Sequence, residues 1–101
     1  MEQTETVVME RQEQRLDKPR RYKVVIYNDN ETTMDFVVDL LQHVFAKTAQ
    51  EATALMLAVH KNGSAVAAVY PCRDIAQSKV REATRLARAA GFPLKLDALP
   101  C

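Results

Sequence analysis

The sequence predicts a small α+β domain in which a three-stranded, mainly antiparallel sheet packs against three helices in the order β-α-α-β-α-β. Runs of β-branched and aromatic residues alternate with amphipathic helical patterns. Turn or capping residues stand at most of the boundaries between them. The length of 101 residues, 48% of them hydrophobic, suits one core and leaves no room for a second.

The segment before this domain has a different composition. Residues 1–18 contain five acidic and three basic side chains, and Val7-Val8-Met9 is the apolar cluster among them. Such a segment buries too little apolar surface to offset the entropy lost on ordering. We therefore expect residues 1–19 to form a flexible extension and residues 20–101 to form the folded domain, with Pro19 at the boundary.

The first predicted strand covers residues 22–27 and ends at a polar turn. Residues 28–30, Asn-Asp-Asn, favour side-chain to backbone hydrogen bonds that stop a strand. Thr32 and Thr33 then offer hydroxyl groups to cap a helix that begins near Met34. Hydrogen-bond acceptors and unpaired helix-start N–H groups are thus predicted to meet in one place.

Two helices follow this turn. The first has an apolar stripe at spacings of three and four, formed by Met34, Val37, Leu40, Leu41, Val44 and Phe45. The second begins at the capping box Thr48-Ala49-Gln50-Glu51 and ends at Asn62-Gly63. Met56, Val59 and His60 share one face of it. On spacing alone these three are typical of a core face with a solvated histidine.

The carboxyl-terminal half predicts one more strand–helix–strand unit. Residues 64–70 are rich in Ala and Val and end at Pro71, as a strand would. A capping arrangement at residues 74–77 predicts a helix that runs to Gly91. Leu94, Leu96 and Ala98 alternate with charged residues and predict a half-exposed last strand.

Composition and motif content narrow the classes of function. Fourteen basic and thirteen acidic side chains nearly cancel, which argues against a nucleic-acid surface. No apolar run approaches a membrane span, and the acidic start is unlike a secretory signal, so a cytoplasmic protein is expected. We also expect a monomer. Cys72 and Cys101 lack metal-site or disulfide spacing, and His43 has no neighbouring ligand. No catalytic motif or cofactor-binding loop is present, so neither an enzyme nor a cofactor is expected.

Five short sequence blocks, in the same order along the chain, resemble those of the ClpS family. Its members are bacterial adaptors that deliver N-degron substrates to a Clp protease. The blocks are Tyr22-Lys23-Val24-Val25, Asn28-Asp29, Met34-Asp35-Phe36-Val37-Val38, Met56-Leu57-Ala58-Val59-His60 and Phe92-Pro93-Leu94. The resemblance extends from Tyr22 to Leu96. It implies the same fold class and a flexible amino-terminal extension that assists substrate delivery.

The resemblance also implies a binding site for substrate amino termini. The α-amine would be held by Asn28, Asp29, Asn30 and His60. A pocket for a bulky hydrophobic first residue (Leu, Phe, Tyr or Trp) would be formed by Thr32, Met34, Val37, Met56, Val59 and Leu94. Docking to the amino-terminal domain of a ClpA-like chaperone is implied at Asp74 and Lys79.

Two positions depart from the family pattern. Asn30 and Thr33 stand where the family commonly has a second Asp and a Pro. Asn30 therefore removes one negative charge beside the amine, and the sequence does not determine which amino-terminal residues of substrates are preferred. Two other classes of function are compatible with the residues alone. One is a ribosomal-stalk-like α+β interaction domain, although the expected helix pair rich in Gly and Lys is missing. The other is a small thiol enzyme built on Cys72 and His60, for which no activating group is evident.

Overall fold

The computed structural model describes residues 20–101. The predicted extension, residues 1–19, lies outside the described residues. The elements are β1 (Tyr22–Tyr27), α1 (Met34–Phe45), α2 (Ala49–Asn62), β2 (Ser64–Tyr70), α3 (Arg73–Ala89) and β3 (Lys95–Pro100). The predicted α+β class and the order β-α-α-β-α-β are confirmed.

β1 is the central strand of the sheet, whose order is β2-β1-β3. Both pairings are antiparallel, and an irregularity between Val24 and Val25 shifts the register with β2. Val24 and Ile26 are completely buried and pack in one cluster with apolar residues of all three helices. The core therefore lies between one face of the sheet and the helices.

The boundaries of α1 and α2 follow local hydrogen bonds that the sequence predicts. The Thr33 hydroxyl accepts from the Phe36 N–H at 3.2 Å. At the start of α2, the Thr48 hydroxyl accepts from the Glu51 N–H at 3.1 Å, and the Glu51 carboxylate accepts from the Thr48 N–H at 2.9 Å. Gly63 ends α2 with a φ of 91°, a left-handed conformation that glycine adopts without strain.

The start of α3 differs from the prediction. Cys72 is the residue before its first turn, and no side chain caps it there. Asp74 is the second residue of the helix rather than its cap, so the expected capping arrangement at residues 74–77 is wrong. Asp74 still stands in the first turn, where a negative charge interacts favourably with the helix dipole.

The segment between α3 and β3 is tied to the end of α3. One guanidinium nitrogen of Arg88, Nη1, donates to the carbonyl oxygens of Phe92 and Leu94, at 2.9 Å each. The Phe92 ring lies against the Phe36 ring of α1, with 5.0 Å between their centroids. This segment therefore connects the end of α3 to the beginning of α1.

Candidate functional site

The turn between β1 and α1 is organised by one carboxylate. Asp29 Oδ1 accepts from the backbone N–H groups of Glu31 and Thr32 at 2.8 and 2.7 Å. Its Oδ2 accepts from the Thr32 hydroxyl at 2.7 Å. The backbone N–H of Asn28 donates to the Gly63 carbonyl at 2.9 Å, which fixes the turn against the end of α2.

A cavity of about 370 Å³ opens beside this turn. It lies between the turn, the start of α1 and the last two turns of α2. Its lining residues come from two segments of the chain and are Asn28, Asp29, Asn30, Glu31, Thr32, Thr33, Met34, Val37, Met56, Val59 and His60. Nine of the ten residues predicted for the amine site and pocket thus lie around one space.

The lining has a polar and an apolar part. Val37 and Val59 are buried, with 6% and 3% of their surface exposed, whereas Met34 is 45% exposed. The polar residues Asn28 and His60 are exposed. A ligand in this cavity would meet apolar side chains in its interior and hydrogen-bonding groups at its polar edge.

Asp29 brings negative charge to the cavity. Partial desolvation acts to raise the pKa of its carboxyl group, but the hydrogen bonds from Thr32 and Glu31 and the positive charge of Arg88 outweigh it. The pKa of Asp29 is consequently below its ordinary value. The carboxylate is ionised at neutral pH and can attract a cation bound beside it.

Leu94 does not line the cavity. Its side chain is only 1% exposed and belongs to the core cluster between the sheet and the helices. Glu31 and Thr33 line the cavity without having been predicted for it, although both lie in the same short turn as the predicted residues. That position within the turn was the one signal that could have identified them.

The two residues predicted for chaperone docking both lie on α3, and neither lines the cavity. Asp74 is exposed in the first turn, and Lys79 is half-buried about one and a half turns later. Ile75, 41% exposed, lies beside Asp74. The amino-terminal half of α3 thus presents charged and apolar groups to solvent.

Residues 20–101 show no group of three His, Cys, Asp or Glu side chains placed to hold a metal ion. Cys72 and Cys101 are both free thiols. Within the described range, no helix is long and apolar enough to cross a membrane.

A family model described as ATP-dependent Clp protease adaptor protein ClpS matches residues 17–97. The chain belongs to the ClpS family. The resemblance found in the sequence motifs is confirmed, and family membership decides against a stalk-like interaction domain. The chain is thereby a member of a family of adaptors of the ATP-dependent Clp protease.

Curated relatives agree over most of the chain. The ClpS adapter of Lawsonia intracellularis is 47% identical over 83 residues, covering 82% of this chain and 75% of that protein. The ClpS adapter of Clostridium acetobutylicum is 45% identical over 86 residues, covering 85% and 84%. That of Burkholderia thailandensis is 47% identical over 91 residues, covering 90% and 86%.

A solved structure of a ClpS family member has the same fold. Agrobacterium tumefaciens ClpS2 bound to L-phenylalaninamide matches with a TM-score of 0.79 and 41% sequence identity. The match covers 82% of this chain and 99% of that chain. The ligand of that relative is an aromatic amino acid amide.

Proposed function

We propose that this chain binds substrate proteins by a bulky hydrophobic amino-terminal residue and delivers them to the ATP-dependent Clp protease. The observation that carries the proposal is a single cavity with an apolar interior and a polar edge containing an ionised carboxylate. A free α-amine joined to a hydrophobic side chain has the same division between charge and apolar surface. Family membership supports the delivery step.

The size and lining of the cavity suit one large side chain. A volume of about 370 Å³ lies within the roughly 300–1,000 Å³ typical of small-ligand sites. Val37 and Val59 offer buried apolar surface, and the thioethers of Met34 and Met56 adapt to different shapes. Burying a Leu or Phe side chain here would contribute about 1.5–3 kcal/mol.

The polar edge would recognise the α-amine. A peptide amino terminus has a pKa of about 7.7–8.0, so it is largely cationic at neutral pH, whereas an internal amide is neutral and has one N–H donor. The Asn28 side-chain oxygen and a neutral His60 imidazole nitrogen would accept from it. Asp29 would supply negative charge, while its turn hydrogen bonds keep the surrounding backbone in place.

Asn30 would lower the charge of this edge compared with family members that have an acid there. An amide oxygen still accepts a hydrogen bond, but it does not add a second negative charge near the amine. We expect the set of accepted first residues to be correspondingly narrow.

L-Phenylalaninamide, the ligand of the solved relative, supports this assignment. It has a free α-amine, an aromatic side chain and an amide in place of a carboxylate. These are the groups that the first residue of a protein chain presents.

The remaining parts of the proposal concern the partner and the compartment. Asp74 and Lys79 would dock the amino-terminal domain of a ClpA-like chaperone. Both charged residues lie in the amino-terminal half of α3, and neither lines the cavity. A monomer would leave both surfaces free at once. The adaptor would act in the cytoplasm, where ATP supports the protease.

The deciding experiment is a binding titration with peptides that differ only in their first residue: Leu, Phe, Tyr, Trp, Ile or Met. We expect binding of one or more of the Leu, Phe, Tyr and Trp peptides and loss of binding when their α-amine is acetylated. The absence of binding by every peptide, or equal binding after acetylation, would refute the proposal.

A further inference from the structure

The face of the sheet opposite the helices is not part of the core cluster. Val25 is 8% exposed and alternates with Val24 and Ile26, yet it does not belong to the cluster that those two residues join. Side chains directly opposite one another in paired strands share a face. The residues on the face of Val25 are Lys23, Tyr27, Ser64, Val66, Val69, Lys95, Asp97 and Leu99.

This open face is polar at one end. The Lys95 ammonium group lies 5.5 Å from the centre of the Tyr27 ring, a cation–π distance. Desolvation and the neighbouring Asp97 carboxylate raise the pKa of the Tyr27 hydroxyl. Tyr27, Lys95 and Asp97 thus form the polar end of the open face.

The other end is mostly apolar and exposed. Val66 pairs with Val25, and Val69 and Leu99 lie on either side of Lys23. These three apolar side chains are 42%, 50% and 38% exposed. Three of the six large exposed hydrophobic side chains in residues 20–101 therefore lie in this patch, which we call the apolar patch. None of its residues lines the cavity.

The chain enters the sheet at the apolar end. Val69 and Leu99 both pair with Lys23, the second residue of β1, and Val66 pairs with Val25 only two residues further on. Residues 1–19 therefore join the domain beside the apolar patch.

The amino-terminal segment contains an apolar group that can reach the patch. Val7-Val8-Met9 is separated from Tyr22 by residues 10–21, which span up to about 40 Å when extended. The distance along β1 from Tyr22 to Val25 is about 10 Å. The connecting chain is long enough to turn back and lie over the sheet.

The charges of the amino-terminal segment also favour its docking on the apolar patch. Residues 1–10 contain Glu2, Glu5 and Glu10 and no Lys or Arg. Lys23 and Lys95 lie on the open face with one acid, Asp97, and Arg20 and Arg21 directly precede β1. An acidic segment with an apolar centre thus matches an apolar patch with basic neighbours.

We propose that Val7, Val8 and Met9 of the chain itself dock on the apolar patch formed by Val25, Val66, Val69 and Leu99. The contact is intramolecular, so an effective concentration in the millimolar range allows three small side chains to occupy the patch for part of the time. While it is docked, the segment is unavailable to other proteins, and a competitor for the patch would release it. This inference concerns a different surface from the cavity and does not depend on the proposed function.

The test uses amide chemical shifts of the full chain. In the variant Val7→Ser/Val8→Ser/Met9→Ser, the largest changes outside the substituted segment should fall on residues 23–25, 66–69 and 97–99. The amides of residues 28–34 and 56–60 around the cavity should be unaffected. No shift on the open face would overturn the proposal.

A reciprocal substitution gives a matched control. Val69→Glu places a charge in the apolar patch, whereas Leu57→Glu places it on α2 at a residue of the same exposure, 50% against 52%. Val69→Glu should shift the amides of residues 7–9, and Leu57→Glu should leave them unchanged. Equal effects of both variants would contradict specific docking.

Protein concentration separates this proposal from self-association. Intramolecular docking predicts that the amide chemical-shift differences between the wild type and the triple Ser variant are the same at every protein concentration. A difference that grows with concentration would show that a second copy of the chain covers the patch, and would overturn the proposal.

Discussion

The Asp29 carboxylate has two roles at once. Its hydrogen bonds to two backbone N–H groups and one hydroxyl hold the turn that carries Asn28 and Asn30. The same hydrogen bonds stabilise its negative charge beside the cavity. Asp29, which the family resemblance predicts to bind the substrate α-amine, is therefore also the residue that shapes the turn.

Asp29→Asn should make the stability less dependent on pH. The pKa of Asp29 is lowered in the folded chain, so its contribution is fully present above the unfolded pKa of about 3.9 and is lost as the pH falls through the folded value. At pH 7 the variant should be less stable by about 1 kcal/mol, because it loses a charge-assisted hydrogen bond. Urea unfolding of both proteins between pH 7 and pH 2 measures this. If the difference in free energy of unfolding between the two proteins stays constant down to pH 2, the lowered pKa is not a property of Asp29.

His60→Ala should weaken binding of a Leu-initiated peptide by about 1.5–3 kcal/mol, because it removes an acceptor for a charged group. The fold should be unaffected since His60 is exposed. His43 is the matched control: it is also an exposed helical histidine, and its Nδ1 lies 2.9 Å from the Asp39 carbonyl oxygen. Calorimetric titration of both Ala variants should show a loss for His60 alone. Unchanged affinity in a folded His60→Ala protein would remove His60 from the site.

Met34 should decide which first residues enter the cavity. It lines the cavity at the first residue of α1 and is 45% exposed. A thioether at the mouth covers a planar or γ-branched side chain but collides with a second substituent on Cβ. Met34→Ala should therefore gain affinity for Ile- and Val-initiated peptides and keep Leu or Phe binding within roughly 1–2 kcal/mol.

Paired titrations of the wild type and Met34→Ala test this selectivity. If Ile-initiated peptides stay excluded after the truncation, another residue makes the discrimination.

Among the elements, α2 links the local sequence signals to the site. It begins at the Thr48 capping box, contributes Met56, Val59 and His60 to the cavity, and ends at Gly63, whose carbonyl accepts from the Asn28 N–H. Its two ends are thus set by capping, and its last turns position three of the eleven residues that line the cavity.

Thr48→Ala should lower the free energy of unfolding by about 1 kcal/mol, because an N-terminal N–H group loses its acceptor. Thr53→Ala on the same helix is the control. The Thr53 hydroxyl only donates to the Ala49 carbonyl at 2.9 Å, so its removal should be nearly neutral. Urea unfolding of both variants measures the difference. An equal cost for the two would show that the capping box does not set the stability of α2.

At the scale of the whole molecule, binding and delivery should be separable. We expect deletion of residues 1–17 to leave peptide affinity nearly unchanged, because the lining residues found within the described range all lie between positions 28 and 60. Protease-dependent turnover of a substrate should fall if this segment takes part in delivery. Parallel measurements of peptide affinity and degradation rate test the separation. An equal loss of both would place the segment at the cavity.

The sequence by itself determined the order of the elements and most of their ends. Thr33, Thr48 and Gly63 act through hydrogen bonds to residues within four positions along the chain, so neighbouring residues encode them completely. At α3 the local signal was misleading: residues 74–77 fit a capping pattern, but the helix begins at Arg73 and no side chain caps it. Residue patterns alone left Met56, Val59 and His60 as ordinary residues of an amphipathic helix.

The family resemblance assigned nine of the lining residues to one site, but residue patterns alone did not, and without the resemblance only the tertiary structure decides which residues share a space. It brought residues 28–37 and 56–60 to one cavity and placed Leu94 in the core. It also left Val66, Val69 and Leu99 exposed on the open face of the sheet. An apolar residue looks the same in sequence whether it lines a cavity, fills a core or faces solvent, because the difference depends on which distant segment packs against it. That packing is a property of the assembled sheet and helices.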